Sequence, residues 1–174
     1  MQIIHNFHIS IKRYYELGIE NDFPIVTECP FCHDLLYKHG FYQRYVITSQ
    51  KRNYRILIRR YKCHHCGRTV SILPSFLFPY FQRSLDYIVD CIKEYLLFKK
   101  FMCYRRAVFF YLKRFKDNTP GLIFFFRDLD NSLIPFRLSR IKKAIKLIKM
   151  IKSTGAQILS QRYHNHFNQC FMAL

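Results

Sequence analysis

The chain has 174 residues, half of them hydrophobic, and carries 29 Lys and Arg against 11 Asp and Glu, a formal charge of +18. That length allows one or two small domains with a real core. That charge excludes an ordinary enzyme of balanced surface and points to a polyanionic partner, either nucleic acid or an anionic membrane surface.

The elements in chain order start with a lead-in segment, 1–28. It holds a short amphipathic piece around Ile9–Leu17, then Gly18 and an acidic loop with Pro24, and reads as a strand and helix. Residues 29–80 carry the main signal. Cys29-Pro-Phe-Cys32 and Cys63-His-His-Cys66-Gly67 are two Cys-x-x-Cys turns with room for a β-hairpin between them. Each turn offers two thiolates, and four thiolates suit a tetrahedral zinc ion. Gly67 supplies the positive φ that such a knuckle needs. The same four residues could also form disulfides or hold a rubredoxin-like iron, and Cys-Pro-Phe-Cys resembles a redox turn. The redox reading wants a βαβ context, and His33–Gly40 does not read as its helix. The favoured reading is one structural zinc on Cys29, Cys32, Cys63 and Cys66, a closed site with no open position for catalysis. His33, His39, His64 and His65 crowd the site, but the thiolate set is complete without them.

Between the knuckles, Gly40 breaks the chain. Phe41–Thr48 and Tyr54–Tyr61 read as strands joined by a polar turn, Ser49–Asn53, and Val70–Leu73 adds a third. On the second strand Tyr54, Ile56, Ile58 and Arg60 alternate with Arg55, Leu57, Arg59 and Tyr61. Pro74 and Pro79 bracket an apolar linker, 73–80, expected to lay its aromatics on the ribbon or the next domain.

The remainder is helical. Ser84 caps a helix with an apolar face of Leu85, Ile88, Val89, Ile92 and Leu96. A second helix runs over Tyr104–Phe115, and Thr119-Pro120 opens a short one over Leu122–Leu129. Ser139 caps the clearest helix, Arg140–Lys152. Its apolar stripe is Ile141, Ala144, Ile145, Ile148 and Ile151, and its basic face is Lys142, Lys143, Lys146, Lys149 and Lys152. Residues 81–155 therefore form a helical domain and 156–174 a tail, the whole being an α+β chain: a small zinc-ribbon β-hairpin domain followed by an all-helical half. Cys91 and Cys103 fall in apolar helical stretches, and Cys170 reads as an incidental tail thiol. The longest apolar run, Leu122–Phe126, is too short to span a bilayer. The N-terminus lacks the basic and apolar regions of a secretory signal. A thiolate metal site then suggests the cytoplasm.

Charge is distributed in blocks. No Asp or Glu lies between Asp34 and Asp86, and none follows Asp130. A solvated surface mixes both signs. The candidate nucleic-acid contacts are therefore Arg44, Lys51, Arg52, Arg55, Arg59, Arg60, Lys62 and Arg68 around the hairpin, and Lys142, Lys146 and Lys149 on the late helix. Tyr42, Tyr45 and Tyr54 could stack on bases, although packing is the commoner role for a single tyrosine.

Residues 29 to about 87 resemble a family of bacterial zinc-ribbon proteins of uncharacterised function, similar to the N-terminal zinc-binding heads of insertion-sequence transposases. The resemblance rests on Cys-Pro-Phe-Cys (29–32), His-Gly (39–40), Ile-Arg-Arg-Tyr-Lys-Cys (58–63), His-Cys-Gly-Arg-Thr (65–69) and Ser-Ile-Leu-Pro-Ser-Phe (71–76). It implies four cysteine ligands, a helix-turn-helix near 84–115 and relation to mobile elements. A transposase core needs three carboxylates around two metals. Only Asp117, Asp128 and Asp130 lie late in the chain. The expectation is a non-catalytic DNA-binding protein, with duplex DNA as partner. The alternative is an interaction module whose ribbon docks on a recombinase, polymerase or ribosomal partner, or on a second copy.

Overall fold

A computed structural model describes residues 1–49, 52–130 and 138–172. It shows an α+β chain in two compact units, Met1–Ser84 and Leu85–Leu174.

The N-terminal unit is a four-stranded sheet in the order β1-β4-β3-β2, with β1 Gln2–His5, β2 Leu36–Ile47, β3 Asn53–Cys63 and β4 Thr69–Pro74. β2, β3 and β4 are antiparallel neighbours, whereas β1 lies parallel to β4, with Ile3 beside Ile72 and Ile4 beside Leu73. The hairpin strands are longer than their apolar patterns suggest. Gly40 does not end the first strand: at φ 80° it sits in an irregularity of β2, where the register with β3 shifts between Lys38 and Phe41. A bulge keeps the ladder going on both sides, so the strand continues back to Leu36.

Helix α1, Ile11–Leu17, begins at Ser10, whose side chain accepts from Arg13 N–H at 3.1 Å. It presses Tyr14, fully buried, into a core of Val46, Ile56, Ile58, Leu73, Phe76 and Leu77. The Tyr14 hydroxyl donates to the Leu57 carbonyl at 2.8 Å, so this ring carries no unpaired polar atom inward. The buried Asn21 amide donates to the carbonyls of Tyr14 and Gly18, both at 2.8 Å, and closes the end of α1. The lead-in segment thus belongs to the ribbon's own core. A bare hairpin with two knuckles would bury little; α1 and β1 supply the missing apolar faces. Phe76 of the 73–80 segment is buried in this core and Phe78 is buried as well, but Tyr80 is 91% exposed.

The C-terminal unit comprises α2 Leu85–Phe98, α3 Arg105–Asp117, α4 Thr119–Asp130, α5 Arg140–Thr154 and α6 Ala156–Phe167. The apolar face expected for α2 is buried throughout: Leu85, Ile88, Val89, Ile92 and Leu96. Segment 99–104 joins α2 to α3 with Lys99 at φ 55°. It is longer than the three- or four-residue turn of a helix-turn-helix. Ser139 caps α5 as expected, accepting from Lys142 N–H at 3.4 Å, and Gly155 ends it at φ 87°. The buried stripe of α5 is Ala144, Leu147, Ile148 and Ile151, while Ile141 is 51% exposed. Ile141 stands in the first turn, before the helix meets its neighbours, and the true stripe follows the i, i+3, i+4, i+7 rule from Ala144.

Residues 156–167 form a full helix where a tail is expected. Ala156, Leu159, Ser160 and Tyr163 make its buried face, and Tyr163 packs at 5.2 Å from Phe125 and 4.7 Å from Phe167. Phe171 and Cys170 beyond it are buried too. Burial pushes the Cys170 thiol up to about 12, so it is an inert core thiol and not a loose one. Cys103 is not in a helix: it lies half-buried in the 99–104 segment, its sulfur 3.7 Å from that of Cys91. Gly121 on α4 faces Tyr163 so closely that a Cβ there would meet its hydroxyl at 2.6 Å. Gly121→Ala is expected to cost about 1–3 kcal/mol, because the packed tyrosine has to move. Thermal unfolding of the variant measures this, and an unchanged melting temperature would show that α4 and α6 are not packed this way.

Candidate metal centre and basic hairpin

The hairpin register brings the two knuckles together. Leu36 pairs with Cys63 at the open end of β2–β3. The chain just before Leu36 folds back as a short loop, with Leu36 N–H donating to the Thr27 carbonyl at 2.8 Å and Glu28 bridging Leu35. Cys29 and Cys32 therefore face Cys63 and Cys66.

Both knuckles close in the same way. Cys29 N–H donates to the Asp34 carbonyl at 2.8 Å, and Cys63 N–H donates to the Arg68 carbonyl at 2.9 Å. The residue after the second cysteine has positive φ in each: 62° at His33 and 67° at Gly67. The sequence reveals the second of these but not the first. His33 adopts a conformation that costs a non-glycine residue about 1 kcal/mol. Its ring pairs with Glu28 in solvent and does not join the sulfurs. His64 packs on Tyr37 at 4.3 Å, and His39 lies 5.9 Å from the same ring.

The four sulfurs lie within 4.8 Å of one another. Cys32 and Cys63 are 3.4 Å apart, and Cys29 and Cys66 are 3.7 Å apart. A tetrahedral ion with bonds of about 2.3 Å needs sulfurs about 3.8 Å apart. The residues therefore fit a single tetrathiolate metal ion. Cys29 and Cys63 are buried and the other two half-buried. The electrostatics point the same way. Burial raises the Cys29 thiol, yet N–H groups of Phe31 and Cys32 and the neighbouring sulfurs bring it down to about 7. Asp34 N–H lowers the Cys32 thiol, but burial and the sulfurs of Cys63, Cys66 and Cys29 push it up to about 12. Four sulfurs this close cannot all ionise alone; a divalent cation lets them.

The basic residues sort onto different surfaces. Ile56 and Ile58 fix the inner face of β3. Arg55 and Arg59 point the other way, beside their cross-strand partners Tyr45 and Phe41. The Arg55 guanidinium lies 4.8 Å over the Tyr45 ring and donates to its hydroxyl at 2.6 Å. Arg59 lies 4.7 Å over Phe41 and 5.7 Å from Tyr61. Arg60 shares the inner side and stacks 4.7 Å over half-buried Tyr42. Arg68 leaves the second knuckle and stacks 4.6 Å over Phe31 of the first. Arg52 is exposed at the hairpin end, Lys62 is half-buried, and Lys51 lies outside the described residues. Cation–π stacking holds these guanidinium groups extended while their edges stay available. Tyr54 is half-buried against the core.

Arg44 serves the fold. Burial lowers its pKa, and its Nη2 donates to the carbonyls of Phe78 and Phe81 at 2.7 and 2.8 Å. The reversal reflects register: position 44 pairs with Ile56 on the inner side of the hairpin. No sequence signal distinguishes it from its exposed neighbours. In the C-terminal unit, Lys142 and Lys149 are exposed on α5 and Lys146 is half-buried. Lys152 is tied to Asp90 of α2 at 2.6 Å.

A family model described as a domain of unknown function (DUF6431) matches residues 29–102, from the first thiol through α2. No curated protein and no solved structure matches the chain. Among the described residues, no helix is long and apolar enough to cross a membrane.

Proposed function

We propose that this is a zinc-ribbon nucleic-acid-binding protein, related to the DNA-binding heads of transposases and without catalysis of its own. The observation that carries the reading is the hairpin: arginines stacked on aromatics, on a sheet braced by a four-thiol site, in a stretch of sequence with no carboxylate from 35 to 85. Zinc is the metal best suited to four thiolates in a closed tetrahedron, and bound there it supplies rigidity and no chemistry. Cys29, Cys32, Cys63 and Cys66 would hold it. The arginines then meet phosphate as bidentate donors, which positions a strand without reading its sequence. Duplex DNA in the cytoplasm is the expected partner.

Arg52, Arg55, Arg59, Arg60, Lys62 and Arg68 are six of the cations around the hairpin. If they neutralise phosphates, log affinity falls linearly with log salt, with a slope of about −5. Equilibrium titration of the metal-loaded chain with duplex DNA across a salt series measures it. A flat dependence, or no binding at low salt, would transfer the ribbon to the protein-docking class.

A further inference from the structure

We propose that a groove along β2 of the hairpin is a pocket for an unpaired nucleobase, with Tyr80 as its stacking platform; this rests on the nucleic-acid reading above. A groove of about 360 Å³ opens along residues 42–45 of β2, with Gln2 of β1 and the 80–82 segment as its other walls. Its wall is the turn Phe78-Pro79-Tyr80-Phe81, closed by Phe81 N–H donating to the Phe78 carbonyl at 3.3 Å. Proline at the second position and positive φ at the third are the marks of a type II turn, whose third position calls for glycine. Here that residue is Tyr80, at φ 67° and 91% exposed. Its ring neither fills the core nor eases the turn. Backbone strain held by its surroundings points to use of the side chain. The surroundings do hold it: the Arg44 guanidinium ties down the carbonyls on both sides of Tyr80.

The groove is chemically suited to a base. An exposed aromatic ring offers a face for stacking, which every base can use. Gln2 also lines the groove, and its Oε1 is buried with no hydrogen-bond partner. Tyr42 lines the groove as well, and Gln82 offers an exposed amide. Buried polar atoms left unpaired are uncommon and ask for a ligand or water. A base lying on Tyr80 would meet the polar side chains of Gln43 and Gln82 along the groove.

The test compares single-stranded DNA with an abasic strand of the same length and charge, by fluorescence anisotropy on the full metal-loaded chain. The base-bearing strand is expected to bind roughly ten-fold tighter. Tyr80→Gly and Tyr80→Leu should both lose that preference and keep the abasic affinity. Tyr80→Gly should also melt higher than the parent, because it relieves the turn. Equal binding of the two strands by the parent chain, or retention of the preference in both variants, overturns the pocket while leaving phosphate binding intact. Binding of neither strand also overturns the pocket, and a duplex added to the same assay separates this from failure of the nucleic-acid reading, which falls only if the duplex is not bound either.

Discussion

Stripping the metal from the chain, or replacing Cys63 with serine, is expected to unfold the knuckles and destabilise the N-terminal unit by roughly 4 kcal/mol or more. Structural zinc contributes about 10–16 kcal/mol of binding energy in isolated fingers. The loss here is smaller, because Tyr14, Ile56, Ile58, Leu73 and Phe76 remain packed without it. The knuckles have no such reserve. They are held by Cys29 N–H to Asp34, Cys63 N–H to Arg68 and the sulfurs themselves. With the cation gone, four sulfurs in contact must protonate or repel, and the strained His33 conformation loses its support. Far-ultraviolet circular dichroism and thermal melts with and without a chelator measure the effect. Cys103→Ser, away from the site, serves as the control and should melt like the parent. Superimposable melts with and without chelator would show that the cysteines are not a metal site.

The second large effect concerns the hairpin surface. Arg55→Glu, Arg59→Glu and Arg60→Glu together are expected to weaken duplex binding by about two orders of magnitude at moderate salt. They should also flatten the salt slope by about 3, one for each lost phosphate contact. The fold should tolerate the change best at exposed Arg55 and half-buried Arg60, and least at Arg59, whose Nε is buried; none of the three is tied to a carboxylate from the hairpin. Arg44 makes the contrast. Arg44→Met is expected to leave the salt slope nearly unchanged but cost about 1–3 kcal/mol of stability, because the carbonyls of Phe78 and Phe81 lose their donor. If the triple variant bound DNA as well as the parent, the hairpin would not be the interface.

The contrast between Arg44 and Arg55 shows how far the sequence could be read. The cluster of four cysteines was legible because spacing alone encodes a knuckle, and the hairpin because Ile56 and Ile58 alternate with arginines. Helices α2 and α5 announced themselves by period and by cap. What failed to show was anything that depends on a distant partner. β1 is four residues long and gains its identity only beside β4, nearly seventy residues later in the chain. α6 hides because Ser160 interrupts its buried stripe and because Tyr163 to His166 look polar, although Tyr163 is core. Gly40 looks like an ending and is a bulge. Arg44 looks like a phosphate ligand and is a clamp, a role set by which side of β2 it occupies. Tyr80 is the extreme case: the Pro79 before it signals a turn, but nothing local says that a tyrosine sits where glycine would be easier.

One ion bound by four sulfurs holds the two knuckles and the hairpin between them in place. X-ray absorption at the zinc edge, on chain purified without added metal and paired with elemental analysis, tests it most directly. The expected result is about one zinc per chain, coordinated by four sulfurs at about 2.3 Å. A chain free of metal, or a shell with nitrogen or oxygen in place of a sulfur from Cys29, Cys32, Cys63 or Cys66, would contradict it.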